Sequence, residues 1–355
     1  MLGKKAEKMQ HGDKRVKKRI LIITTGGTLA SASSKEGLVP ELNSTEIFSG
    51  MEGIMNHFQV DFLELFSMDS SNMQPEHWQE IAGTVYERCP EYDGMVIIHG
   101  TDTMAYTASA LSFMLRNVPI PIVLTGSQLS ILNPIADAVE NCRCAINMAG
   151  SGVPGVFVAF NRKVMLGTRA CKVRTISFDA FESINHTYVG VVNSNGLDIS
   201  YTRPEGENIK FELQDKLCKE VFLLKLIPGT NPAIFEALYQ MGYKGVVVEA
   251  FGIGGIHFKK RDLADAIGTV IAKGMTVVVG TQCLYEGSNL SIYQTGQVIL
   301  KQGAIAAHDM TAEAAVTKLM WVLGQTNNKE EIKAYFEKNL AGEVNVPNGK
   351  IREYL

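Results

Sequence analysis

Short apolar runs recur along the chain, each ending in a polar, glycine-rich turn. Residues 19–24 (RILIIT), 94–98 (GMVII), 120–124 (IPIVL) and 156–160 (VFVAF) are rich in Ile and Val. Such short, unbroken runs predict strands buried on both faces. Between them, residues 75–89 carry Trp78, Ile81, Ala82 and Val85 at helical spacing, and residues 103–116 and 137–149 follow a similar period. Alternating strand and helix predicts an α/β fold whose parallel sheet is doubly wound. In that arrangement functional residues sit at strand carboxyl ends.

Residues 194–216 break the rhythm: they are polar, with Gly, Pro and Asn and no long apolar period. They read as a linker that includes an exposed strand. A second α/β pattern follows, with strands at 221–227, 246–249 and 275–279. Its helices begin at Pro232 and lie near 259–273, 311–323 and 329–339. The expected organisation is a basic tail (1–18), a larger N-terminal α/β domain (19–193), the linker (194–216) and a smaller C-terminal α/β domain (217–355).

The composition supports two globular units. The chain has 355 residues, 46% of them hydrophobic, and domains usually span about 100–200 residues. No apolar run approaches the roughly 18–20 residues of a membrane helix. The net charge of −3 is uneven: residues 1–19 hold eight Lys or Arg and two acids, a basic tail on an acidic body. That tail has poor material for base stacking, so no nucleic-acid partner is expected. The apolar stretch after it, residues 20–23, is shorter than the roughly 7–15 residues of a signal-peptide core. Six cysteines without a CxxC pair read as reduced thiols, which suits a reducing compartment and a cytoplasmic location. Cys171 and Cys283 are expected in the core. His57, His77, His186 and His257 show no metal-ligand spacing, and no metal or organic cofactor is expected.

Four polar clusters follow predicted strands: Thr25-Gly26-Gly27-Thr28, Asp69-Ser70-Ser71-Asn72, His99-Gly100-Thr101-Asp102-Thr103 and Thr125-Gly126-Ser127-Gln128. In a doubly wound sheet such loops converge on one crevice, suited to a small polar ligand. Neither GxxxxGK[ST] nor GxGxxG is present, so phosphate binding has weak support. A threonine hydroxyl needs a base before it can attack. Thr101-Asp102 and Lys172, in GTRACK, supply a hydroxyl, a carboxylate and an amine. Taken alone, Thr101 reads equally as a helix cap and Lys172 as a surface lysine.

The TGGT loop, DSSNM at 69–73, HGTDTM at 99–104, TGSQ at 125–128 and the GTRACK lysine occur in order. Together with PGTNP at 228–232 and HDMTAEAA at 308–315, they resemble the bacterial L-asparaginase family, and most of all its cytoplasmic type I branch. The resemblance spans about residues 19–340. It implies that Thr28 attacks the side-chain amide of L-asparagine and forms an acyl-enzyme, supported by Thr101, Asp102 and Lys172. It also implies that Asp69, Ser70, Ser71, Thr101 and Asp102 hold the substrate's charged ends, that L-glutamine is at most a weak substrate, and that the protein is a homodimer or homotetramer. Two alternatives share these motifs: an ammonia-supplying subunit of a tRNA-dependent amidotransferase, and an inactive amino-acid-binding homologue.

Two positions depart from the resemblance. Many family members carry a tyrosine ten residues after the nucleophile, where this chain has Leu38. Tyr293, from the second domain of a neighbouring subunit, is the candidate replacement; as an isolated residue it reads as a half-buried strand tyrosine. Some type I members also bind asparagine at a regulatory site through an Arg and an Asn. Those positions correspond here to Glu249 and Gly255, and a carboxylate there repels the effector's carboxylate. Initial-rate measurements should therefore give a hyperbolic dependence on asparagine. A sigmoidal curve would contradict this reading.

Overall fold

A computed structural model describes residues 17–26, 31–34, 37–40, 52–201 and 210–345. The first half is built on β1 (Lys18–Gly26), β2 (Phe58–Met68), β3 (Gly94–Ile98), β4 (Pro121–Thr125), β5 (Gly155–Phe160) and β6 (Lys163–Leu166). A hairpin of β7 (Ala170–Lys172) and β8 (Phe181–Ser183) stands apart from this sheet, and β9 (Gly190–Asn193) and β10 (Gly196–Ile199) complete it. The eight strands lie in the order β10-β9-β6-β5-β4-β3-β1-β2. The five from β2 to β5 are parallel, while β6, β9 and β10 add an antiparallel edge. The parallel order 2-1-3-4-5 reverses direction between β1 and β3, so the crevice at a topological switch point opens there.

Alternate residues of each buried strand enter different cores. Ile20 and Ile22 of β1 and Val96 and Ile98 of β3 pack with helix α3 (Ala138–Ala149). Leu21, Ile23, Met95 and Ile97 face the other way, onto helices α1 (Pro75–Arg88) and α2 (Met104–Met114). The second half has a four-stranded parallel sheet of β11 (Val221–Lys225), β12 (Gly245–Ala250), β13 (Thr276–Thr281) and β14 (Ile305–Ala306). Helices α4 (Ala233–Gln240) and α5 (Leu263–Ala272) cover one face of it, with α6 (Gln294–Lys301) nearby. The other face adds Val247 and Val278 to the core holding α1 and α2, with α7 (Ala312–Gln325) and α8 (Lys329–Phe336) between the sheets. Phe113 of α2 stacks on Trp321 of α7, ring centroids 6.2 Å apart. The two halves thus share one hydrophobic core. Among the described residues no helix is long and apolar enough to cross a membrane.

Several expected boundaries move. β1 opens at Lys18, inside the stretch assigned to the tail, and the Lys18 amine donates to Gly150 O at 2.7 Å. The first unit does not end at 193: β10 lies in the predicted linker but pairs with β9 in the first sheet. Glu212–Leu213, also in that linker, pairs with Leu115–Arg116 after α2. Strand β2 escapes the apolar-run criterion because Asp61 and Glu64 interrupt it, as suits a half-exposed sheet edge. Cys171 is buried as expected, whereas Cys283 is exposed.

After α8 the chain folds back as a strap over residues 338–345. Glu343 reaches Lys318 of α7 at 2.5 Å, with both side chains fully buried. Burial pulls the Lys318 amine down and Glu343 pulls it back up. The Glu343 carboxylate also accepts the N–H groups of Leu340 at 3.0 Å and Ala341 at 2.7 Å. Removing one partner of such a pair costs about 3–5 kcal/mol, whereas an apolar replacement of both is often tolerated. Chemical denaturation should show Lys318→Met losing about that much, with the Lys318→Met/Glu343→Gln double variant, which removes both charges but keeps an acceptor for the Leu340 and Ala341 N–H groups, recovering most of it. Equal losses in the single and double variants would contradict the assignment.

Candidate active site

The carboxyl ends of β1, β2, β3 and β4 meet at the switch point. Thr25, one residue before the end of β1, is buried and donates its hydroxyl to Ile98 O of β3 at 3.0 Å. Gly26 has φ +96°, and a Cβ there would lie 2.3 Å from Met68 N, so this turn requires glycine. After β2, the Asp69 carboxylate accepts the Ser71 N–H and hydroxyl, both at 2.7 Å. These hydrogen bonds hold the Asp69 carboxyl below its usual range. Ser70 is buried, and its carbonyl accepts the Thr103 hydroxyl at 2.8 Å. Gly100 permits this approach, since a Cβ there would sit 2.5 Å from Ser70 Oγ.

His99, at the end of β3, is fully enclosed. Its Nδ1–H faces Gly100 O at 2.7 Å, and a carbonyl can only accept. Nε2 therefore accepts the Thr107 hydroxyl at 2.9 Å, and Thr107 Oγ1 accepts Trp78 Nε1–H at 3.0 Å. Burial pushes the imidazole down to about 4. It stays neutral near pH 7 and anchors the turn. Because its pKa is lowered on folding, its contribution to stability is lost as pH falls from about 6.5 to about 4.

The β7–β8 hairpin brings Lys172 to this group. The Lys172 amine lies 2.8 Å from Thr101 Oγ1 and 2.6 Å from Asp102 Oδ1. Thr101 is 6% exposed, the Lys172 side chain 17% and Asp102 64%. The lysine is thus largely covered while the carboxylate stays open to a solvent-borne cationic group. Gln128, after β4, places its Oε1 3.3 Å from Thr101 Oγ1.

Arg169 fixes the hairpin's other end. Its side chain is fully buried, with Nε donating to Gly342 O at 2.6 Å and NH1 to Asp309 O and Oδ2 at 3.0 and 3.1 Å. Thr168 donates to Ala341 O at 3.0 Å. Cys171 donates to Glu313 at 3.2 Å, and Tyr285 of the second half donates to Glu182 of β8. Asn345 closes the strap onto Asp309 through its N–H and side-chain amide at 2.9 and 2.8 Å.

Of the residues singled out in the sequence, Thr101, Asp102 and Lys172 are in direct contact, and Ser70 packs against Gly100. Thr28 lies outside the described residues. Leu38 belongs to a hairpin of Ser31–Ser34 and Gly37–Pro40, opposite Ser33. Tyr293 is not a half-buried strand residue: it caps α6, 60% exposed, with no hydrogen bond to the Thr101 group among the described residues. Glu249 ends β12 half-buried, and burial, with Glu313 nearby, pushes its carboxyl up. The roles of Gln128, Arg169 and the strap were not assigned from sequence. Among the described residues no three His, Cys, Asp or Glu gather as a metal site.

A family profile described as "Asparaginase, N-terminal" matches residues 19–205, and one described as "Glutaminase/Asparaginase C-terminal domain" matches 220–336. The chain belongs to the asparaginase family. An L-asparaginase of Thermococcus kodakarensis is 41% identical over 92% of this chain and 99% of its own length. The solved structure of the thermostable L-asparaginase from that organism superimposes with a TM-score of 0.87, covering 93% of this chain and all of that one. L-asparaginase I of Vibrio cholerae, 29% identical, gives 0.83 over 93% of this chain and all of its own. A glutamyl-tRNA(Gln) amidotransferase component of Pyrococcus abyssi is 37% identical over 95% of this chain and 78% of its own length. The C-terminal family profile ends at residue 336, so the strap that grips Arg169 lies beyond it.

Proposed function

We propose that this chain hydrolyses L-asparagine to L-aspartate and ammonia, with Thr28 as nucleophile. The observation that carries the reading is the Lys172 amine, 2.8 Å from the Thr101 hydroxyl and 2.6 Å from the Asp102 carboxylate at the switch-point crevice. Thr28 Oγ attacks the amide carbon, and its proton passes toward the Thr101–Lys172 pair. Backbone N–H groups hold the developing oxyanion. The C–N bond breaks, the nitrogen takes up a proton, and ammonia leaves an aspartyl ester on Thr28. Water then cleaves the ester, returning the proton to Thr28. Asp102 meets the substrate's α-ammonium, and Asp69, Ser70 and Ser71 hold its charged end, since a desolvated zwitterion needs both charges satisfied. Glutamine differs by one methylene, worth about 1–3 kcal/mol in a fitted pocket, which supports weak use of it.

Exposed apolar residues favour self-association into a dimer or tetramer. Leu132, Ile135 and Ile176 stand out from the first half, and Tyr285, Ile292 and Tyr293 from the second. Covering them with a second copy would also allow Tyr293 to enter a neighbour's crevice. The six unpaired cysteines favour the cytoplasm. The kinship with an amidotransferase component supports a second reading, ammonia supply to a partner enzyme.

Purified protein should release ammonia from free asparagine without tRNA or a second protein. Thr28→Ala should reduce the rate by about a thousandfold or more. Absence of release from the unaltered protein would discard this reading in favour of the amidotransferase or binding alternatives.

A further inference from the structure

We propose that Gln128 is a positioning residue that sets the direction of the Thr101 hydroxyl and ties it to the hairpin carrying Lys172. The inference rests on the asparaginase reading of the Thr101–Lys172 pair. The carboxamide nitrogen of Gln128 donates to Thr175 O and Ser177 O, both at 3.1 Å. Two carbonyls can only accept, so the amide cannot be flipped and its oxygen must face Thr101, 3.3 Å away.

The hydroxyl of Thr101 has one hydrogen. A Lys172 ammonium at 2.8 Å has only hydrogens to offer, so Thr101 Oγ1 accepts from it. The single hydroxyl hydrogen then points at Gln128 Oε1. When the amine has lost its proton, the same hydroxyl can rotate and donate to Lys172. Gln128 makes this a switch between two fixed partners. The main chain of Gln128 is itself held: its N–H donates to the Asp137 carboxylate at 3.1 Å, and Leu129 N–H joins it at 3.2 Å.

The two carbonyls that orient Gln128 lie in the loop 173–180, which closes the hairpin directly after Lys172. Val173 N–H donates to Ala180 O at 2.8 Å across its base, and Arg174 NH1 to Asp179 O at 2.8 Å within it. One hairpin therefore controls both sides of the Thr101 hydroxyl. Its lysine addresses the oxygen directly, and its loop addresses the hydrogen through Gln128. Tilting the loop would shift both contacts together.

The test compares Gln128→Met, of similar length but unable to hydrogen-bond in this way, with Gln128→Glu, which keeps an acceptor for Thr101 but loses both donors. Hydrogen exchange of the amides in 173–180 is measured alongside steady-state kinetics on asparagine. Gln128→Met should lower kcat by about 10- to 100-fold with KM changed less than about threefold, as expected for lost orientation rather than lost binding. Gln128→Glu should recover part of kcat, because an acceptor returns. Both variants should exchange faster than the unaltered protein at 173–180, because neither holds the loop. Unchanged exchange in both variants overturns the inference whatever the activity. So does an unchanged kcat in Gln128→Met, or a kcat loss matched by an equal KM rise. If the unaltered protein releases no ammonia, the proposed function fails separately, and the exchange comparison still decides whether Gln128 tethers the loop.

Discussion

A guanidinium with no solvent exposure needs neighbours that replace the water it has lost, and Arg169 finds them in the second half of the chain for its Nε and NH1, while its NH2 has no hydrogen-bond partner among the described residues. Asp309 supplies a counter-charge and a carbonyl, and Gly342 supplies another carbonyl at 2.6 Å. Removing these groups would strand a buried charge, a cost of about several kcal/mol. The hairpin bearing Lys172 is therefore committed to one position against the strap and the start of α7. The strap is committed in turn by the buried Lys318–Glu343 pair. Two desolvated ion pairs, in series, carry positional order from the end of the described chain to an amine three residues after Arg169.

The first sheet supplies the other half of the geometry. Its 2-1-3-4-5 order opens a crevice where β1 and β3 diverge. Glycines at 26 and 100 let the loops after β1 and β3 approach β2 and Ser70 closely. Thr101 and Asp102 are thus presented by a rigid strand end, below which His99 forms neutral hydrogen bonds. Lys172 arrives from outside that sheet. The site is a meeting of a sheet end and a hairpin that the second half anchors, and the two halves share one continuous core.

Much of this was legible in the sequence for physical reasons. Strands β1, β3, β4 and β5 are buried on both faces, so their apolar runs are unbroken, and β1, β3 and β4 each lead into a polar cluster. Strand β2 was hidden because an edge strand alternates polar residues. The hairpin of β7 and β8 and the edge strands β6 and β9 were hidden because strands of three or four residues leave little periodicity, whereas β10 falls where an exposed strand was read within 194–216. Thr101, Asp102 and Lys172 could be grouped through motif resemblance, but not through spacing, since 70 residues separate Lys172 from Asp102. The Arg169 clamp had no local signal, because its partners lie about 140 and 173 residues further on. Read as an isolated residue, Tyr293 suggested a half-buried strand, whereas it stands exposed at the start of helix α6.

In the proposed reaction, the anchored hairpin delivers Lys172 to Thr101 as the group that handles the proton. Steady-state kinetics of Lys172→Met on asparagine tests it most directly, because Asp102 is open to water and its loss of a partner should leave the fold intact. The kcat should fall by about a hundredfold or more with an unchanged melting temperature. A kcat near that of the unaltered protein would contradict it.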